Sequence, residues 1–124
     1  MVKGLGVDIV EIERIDGLIV KYGEQFLGKI FTPAEIQYCS RMAFPALHFS
    51  GRWAAKEAFY KALPSECQKV SSWKSVEILP QSGRPVVTVL SDELRHAMDS
   101  QGVVQCLLTI SHEKKNCVAV VVLA

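Results

Sequence analysis

The chain has almost no net charge: 14 Lys and Arg stand against 13 Asp and Glu, leaving +1. No bulk basic field argues for nucleic acid, so any anion site must come from local clustering. The four cysteines, Cys39, Cys67, Cys106 and Cys117, include no CxxC pair, which removes the usual spacing of a zinc site or a redox pair. No secretion signal is read at the amino terminus, so reduced thiols in a cytoplasm are expected instead of a disulfide framework. The apolar runs, Val118 to Ala124 among them, fall well short of the roughly 20 residues a membrane span needs. GxGxxG and Walker loops are missing, so the common glycine-rich phosphate cradles are excluded. Ser111 lacks a GxSxG context that would mark it as a nucleophile. There is no repeat, low-complexity segment or linker.

What is present is an ordinary globule. The 124 residues, 49% hydrophobic and 22% charged, are enough for one domain, 1–124, with a core that needs no staples. The most informative stretch runs from Gly51 to Leu63. Its Ala, Lys, Glu and Leu content predicts a helix reaching back as far as Ala46 and stopped by Pro64. At helical spacing Ala54, Ala58 and Ala62 share one side with Ala55 beside them, while Trp53, Glu57, Lys61, Lys56 and Tyr60 fall on the other. The small side lets another backbone approach closely. Glu57 and Lys61 could form an exposed i,i+4 pair contributing only roughly 0.2 to 0.5 kcal/mol. Alternatively, a carboxylate between lysines holds a divalent ion while the ammonium groups hold phosphate oxygens.

A second carboxylate lies near the start. Val2 to Ile15 reads as a strand leading into a helix, with Asp8 on the same side as Val10, and Leu5, Val7 and Ile9 on the opposite side. An ionised carboxylate in an apolar strand needs hydrogen-bond donors, an arginine or a metal ion. Glu13 to Phe31 reads as helix interrupted at Gly17, Gly23 and Gly28, decorated by Arg14, Lys21 and Lys29. Thr32-Pro-Ala-Glu35 is a helix start with a capping box. Ser65 to Ser72 reads as an irregular loop, and Val76 to Leu79 with Pro85 to Leu90 as a hairpin turning at Gly83. Ser91-Asp-Glu-Leu94 begins a helix with a second capping box, closed by Gly102. Val104 to Ser111 and Asn116 to Leu123 form a second hairpin around His112. This order predicts an α+β fold, an antiparallel sheet covered by helices including one long central helix.

Gly6-Val-Asp-Ile9 with Arg14, Phe31-Thr-Pro-Ala-Glu35 with Tyr38-Cys39, His48-Phe-Ser-Gly-Arg-Trp-Ala-Ala-Lys-Glu-Ala-Phe-Tyr-Lys-Ala-Leu63, Gly83-Arg-Pro85 and Ser111-His112 together resemble holo-acyl-carrier-protein synthases, the small bacterial 4′-phosphopantetheinyl transferases. The resemblance implies Mg²⁺-dependent transfer of phosphopantetheine from coenzyme A to a serine of apo acyl carrier protein for fatty acid biosynthesis, releasing adenosine 3′,5′-bisphosphate. It implies Asp8 and Glu57 as metal ligands and Asp8, Glu57 and Lys61 as catalytic residues, the serine proton passing to a metal-bound water or a carboxylate. Arg52, Lys56, Lys61, Gly83, Arg84, Pro85 and His112 would hold coenzyme A, and Arg14, Lys21 and Lys29 the acidic carrier. It further implies a homotrimer with active sites between subunits. Two features depart from the family pattern: Pro64 to Lys69 replaces a glycine-rich turn, and Trp53 stands where Phe is frequent. Two other classes fit the same cations: a non-enzymatic module binding coenzyme A or a nucleotide, and an interaction protein whose Arg14 to Lys29 helix binds an acidic partner. A transferase acting on peptide carriers is the alternative within the enzyme class.

Overall fold

The computed structural model describes residues 1–124. Strand β1 (Gly4–Glu11) leads into helices α1 (Ile12–Tyr22), α2 (Glu24–Ile30), α3 (Pro33–Ser40) and the long α4 (Pro45–Ala62). A single turn of helix, α5 (Ser65–Gln68), precedes the hairpin β2 (Val76–Gln81) and β3 (Arg84–Val89), helix α6 (Asp92–Ser100), and strands β4 (Cys106–His112) and β5 (Asn116–Leu123). The three-stranded antiparallel sheet has the order β1-β5-β4, with Gly6 opposite Val121 and Asp8 opposite Ala119. Strands β2 and β3 form a separate two-stranded sheet. The expected α+β architecture, with a long central helix against an antiparallel sheet, is what forms.

Helix α4 lies on the three-stranded sheet through its small side. Ala54, Ala55, Ala58 and Ala62 are buried, and β1 presents Gly4 and Gly6 to them. A methyl group built on Gly6 would run into the carbonyl oxygen of Ala58, and one on Gly4 into that of Ala62. The missing side chain of glycine on the strand and the single methyl of alanine on the helix let the two backbones touch. Beside this contact the core fills with Phe31, Phe49, Phe59, Ile15, Ile78, Leu94 and Leu123.

The parity of β1 follows from the same contact. Gly4, Gly6, Asp8 and Val10 face α4, whereas Leu5, Val7 and Ile9 are 66%, 54% and 67% exposed. The more hydrophobic face of the strand therefore points away from the core of this chain.

Local details separate expectation from outcome. Of three glycines expected to interrupt the α1–α2 region, only Gly23 does so, at φ 55, while Gly17 and Gly28 sit inside helices. Thr32 and Glu35 form the predicted capping box. At Ser91 only half of one forms: its hydroxyl accepts from the Leu94 amide at 3.1 Å, and the leucine has no group to return the bond. Ser65 to Ser72 is an irregular loop only in its second half, because Ser65–Gln68 form α5. Cys67 is fully buried, and Gln68 Nε2 donates to the Tyr60 carbonyl at 2.9 Å, holding α5 against the end of α4. A helix of one turn carries no periodicity to read. The β2–β3 strands reach further than predicted, meeting in a two-residue turn in which Ser82 and Gly83 both take positive φ, 52 and 80, as a tight hairpin requires. No helix is long and apolar enough to cross a membrane, and all four cysteines are free.

The glycines offer a paired test. Gly6→Ala is expected to lower stability by roughly 3 kcal/mol, because neither backbone at the contact can retreat without opening the core. Gly17→Ala, in a helix with nothing within 4 Å of the new methyl, should raise it by up to about 1 kcal/mol; urea unfolding midpoints of the two variants read both signs.

Candidate active site

The approach of β1 to α4 brings Asp8 to the face of α4 that carries Trp53, Glu57 and Lys61. Lys61 Nζ lies 3.1 Å from Asp8 Oδ1 and 3.3 Å from the Val7 carbonyl. The Asp8 side chain is only 15% exposed, that of Lys61 51%. The lysine therefore pairs across elements with Asp8, and no ion pair forms with Glu57 one turn away on its own helix. Burial, and then the charge of Asp8, raise the pKa of Glu57, while Lys61 and Arg14 pull it down. Two carboxylates close enough to repel, with two cations around them, are an arrangement typical of reactive sites.

No third His, Cys, Asp or Glu joins the pair to complete a metal cage. Two carboxylates suit Mg²⁺, which keeps several waters and is commonly bound through one or two carboxylates plus substrate phosphates. The carboxylates of Asp8 and Glu57 are of the chemical type that ion takes.

Around this centre Arg14 places its guanidinium 5.7 Å from the Trp53 ring, a cation–π contact that limits where the arginine points. Trp53 stacks on Phe26 at 6.0 Å and packs against Trp73 at 4.7 Å. Lys21 and Lys29 are exposed on α1 and α2, Lys21 lying over the Tyr22 ring at 5.2 Å.

The expectation for Lys56 needs correction. It is 3% exposed and lies on the buried side of α4, away from the exposed side it was expected to share with Lys61. Its ammonium meets Glu35 Oε1 at 2.8 Å and the carbonyl oxygens of Ile30, Trp73 and Val76 at 3.0, 2.8 and 3.1 Å. Three N–H donors facing four oxygens have none left for a substrate. Burial pushes this ammonium's pKa down, against the upward pull of Glu35.

Arg52 differs. It is 6% exposed, stacks 4.7 Å over Tyr38, and donates to the carbonyls of Ile78 and His48 at 3.2 and 3.4 Å, but no carboxylate pairs with it. Five residues separate Arg52 from Glu57, which places them about 140° apart around the helix. His112, exposed at the end of β4, is near enough to help lower the pKa of His48, after burial and Arg52. Gly83 and Arg84 are exposed at the β2–β3 turn, and Pro85, half-buried, pairs with Pro80. The candidate residues thus form two groups: Asp8, Glu57, Lys61 and Arg14 in one, Arg52, His48 and His112 in the other.

Sequence reasoning missed the wall beside Glu57. A pocket of about 310 Å³ lies between α4 and the segment before β2, lined by Glu57, Tyr60, Ser71, Ser72, Trp73 and Val76 among others. Tyr60, three residues from Glu57, was within reach of helical spacing. Ser71 to Trp73 carried no signal, because their position depends on how α5 and the turn at Trp73–Ser75 pack.

A family profile described as the 4′-phosphopantetheinyl transferase superfamily matches residues 4–120. The holo-[acyl-carrier-protein] synthase of Syntrophus aciditrophicus is 37% identical over 124 residues, covering 99% of this chain and 96% of the relative. Among solved structures, holo-[acyl-carrier-protein] synthase from Neisseria meningitidis superposes with a TM-score of 0.86 at 30% identity, covering 100% of this chain and 99% of the other. The Helicobacter pylori enzyme, solved in complex with coenzyme A, superposes at 0.78 with 28% identity, covering 97% and 99%. With an antiparallel α+β fold shared end to end and sequence identity over nearly the whole length, the chain belongs to the holo-[acyl-carrier-protein] synthase family of 4′-phosphopantetheinyl transferases.

Proposed function

We propose that this enzyme transfers the 4′-phosphopantetheine group of coenzyme A to a serine of apo acyl carrier protein in an Mg²⁺-dependent reaction serving fatty acid biosynthesis. The observation that carries the reading is the meeting of Asp8 from β1 with Glu57 and Lys61 from α4, Asp8 and Lys61 being 53 residues apart in sequence, at one place in a family of phosphopantetheinyl transferases. Bound between Asp8 and Glu57, Mg²⁺ would supply positive charge against the pyrophosphate. The serine oxygen forms a bond to the β-phosphorus as the bond to the adenosine 3′,5′-bisphosphate oxygen breaks. Lys61, half exposed and already facing the carboxylates, turns its ammonium to the phosphate oxygens and offsets the charge that develops there. The serine proton passes to a water or to one of the two carboxylates, Glu57 or Asp8, beside the reacting oxygen.

Arg14, steadied on Trp53, together with Lys21 and Lys29, gives the α1–α2 side a cationic edge for an acidic carrier surface. Arg52 is a nearly buried cation with no acidic partner, which suits a phosphate of the nucleotide, with His112, Gly83, Arg84 and Pro85 completing that end. These residues do not share a face with Glu57. A second copy of the chain would reunite the two groups, and the outer face of the three-stranded sheet supplies a reason for one. Leu5, Val7, Ile9 and Leu107, exposed by 66%, 54%, 67% and 52%, flank Val118, Val120 and Val122 of the middle strand. Exposed apolar surface of that continuity marks an interface, and the reading here is a homotrimer with active sites between subunits. Four free thiols, three of them buried, suit a reducing cytoplasm.

Intact-mass analysis of an apo carrier incubated with the enzyme, coenzyme A and Mg²⁺ is expected to show a phosphopantetheine-sized gain that chelation of the metal prevents. Glu57→Gln should lower kcat/KM by roughly 100-fold or more. Coenzyme A binding with no mass gain on authentic carriers would favour a binding module instead.

The sheet face is tested by sedimentation. The wild-type chain should run as a trimer, and Val7→Lys should reduce it to monomer with loss of coenzyme A binding at the shared site; a monomeric wild-type enzyme that turns over rejects the subunit-shared site.

Stability of the metal-free protein provides a further check on Glu57. A glutamate whose pKa is raised by folding favours the folded state at low pH, and this contribution is lost as pH rises through the raised value. Metal-free Glu57→Gln is therefore expected to melt above wild type at neutral pH, the difference shrinking as pH falls toward the ordinary glutamate range.

A further inference from the structure

We infer that Lys56 and Glu35 are positioning residues for the coenzyme A site. Lys56 holds the wall that faces Glu57 across the pocket, and Glu35 supplies the counter-charge that keeps Lys56 in place. The inference rests on the reading above that coenzyme A is bound beside Glu57, which lines this pocket.

The segment from Lys69 to Val76 forms that wall through Ser71, Ser72, Trp73 and Val76. Lys56 is the only α4 side chain that hydrogen-bonds to it, reaching the carbonyls of Trp73 and Val76 at 2.8 and 3.1 Å. The nearest other hydrogen bonds of α4 fall just outside the segment, from Gln68 to Tyr60 on one side and from Arg52 to Ile78 on the other. Lys56 also immediately precedes Glu57. The same turn of helix therefore carries the carboxylate on one side of the cleft and the tether for the opposite side.

Glu35 completes the device. It is fully buried, and besides Lys56 it accepts from the Thr32 amide at 2.8 Å and the Ile78 amide at 2.7 Å. Its carboxylate fixes the start of α3, the middle of β2 and the lysine at one point. Removing either charge frees the two carbonyls of the wall to repoint, and displacements on the order of 1 Å are enough to cost about 100-fold when they misplace reacting groups.

Neutralising Glu35 separates this role from direct contact. If Lys56 touched a phosphate of coenzyme A, neutralising Glu35 would remove a competing negative charge and leave binding unchanged or tighter. If the pair positions the wall, neutralising Glu35 weakens binding as neutralising Lys56 does.

The test compares wild type, Glu35→Gln, Lys56→Met and the double variant, using calorimetric titration of coenzyme A with Mg²⁺ and steady-state kinetics on apo carrier. The expected result is a KM and Kd for coenzyme A raised about tenfold in each single variant, no worse in the double, with KM for the carrier unchanged. A fold that was merely weakened would lower kcat through the active fraction and leave both KM values in place. Trp53 and Trp73 are the only tryptophans in the chain, and their packing at 4.7 Å should produce an exciton couplet in circular dichroism that shrinks in all three variants as the wall shifts. Should a single variant fail to fold, the uncharged double variant decides, since it leaves no buried charge unpaired. Wild-type coenzyme A affinity in Glu35→Gln or in the folded double variant overturns the inference. No coenzyme A binding by the wild-type enzyme instead overturns the functional reading beneath it.

Discussion

The contact between two glycines of β1 and the backbone of α4 is the constraint on which the rest depends. Gly4 and Gly6 leave room for the carbonyls of Ala62 and Ala58 to lie directly against the strand. That separation places Asp8, two residues further along the inward face, where Lys61 reaches it at 3.1 Å and where its charge raises the pKa of Glu57. With larger side chains at the contact the helix would ride higher on the sheet. The three groups would then be separated by several Å and would interact as isolated surface charges, each contributing little.

Two lysines five residues apart on α4 illustrate how burial assigns chemistry to identical side chains. About 140° of helical rotation separates Lys56 from Lys61. The first is enclosed by Glu35 and three carbonyls; breaking such a pair by removing one partner typically costs about 3 to 5 kcal/mol. The second stays half exposed with one carboxylate and one carbonyl near it, free to exchange those partners for phosphate oxygens. One holds the scaffold and the other is available to substrate.

The sheet is organised for two neighbours. Its inner face carries Gly4, Gly6 and Ala119, which admit α4, and its outer face carries Leu5, Val7, Ile9 and Val118, Val120 and Val122 of β5. The same strand alternation that delivers Asp8 to Lys61 and Glu57 delivers those apolar side chains outward. A partner seated there would explain why the most hydrophobic face of β1 is not used within its own fold, and why Arg52 and His112 lie around the helix from Glu57.

Much of this was legible from residue order alone. The small side of α4, the alternation of β1, the capping box at Thr32 and both hairpins are local properties, set by side-chain size, period and turn chemistry within a few residues, and Asp8, Glu57 and Lys61 were identified from the residues that resemble a family. Local pattern could not assign Lys56, because its spacing near Glu57 suited the exposed side equally well and only the packing of α3 and β2 enclosed it. Nor could it place Ser71 to Trp73, whose position depends on the single turn of α5 closing on Tyr60. Residue order determined which groups were present and on which face of its own element each would sit. Tertiary packing decided which of those faces were shielded from water, and that shielding separates the buried ammonium of Lys56 from the half-exposed one of Lys61.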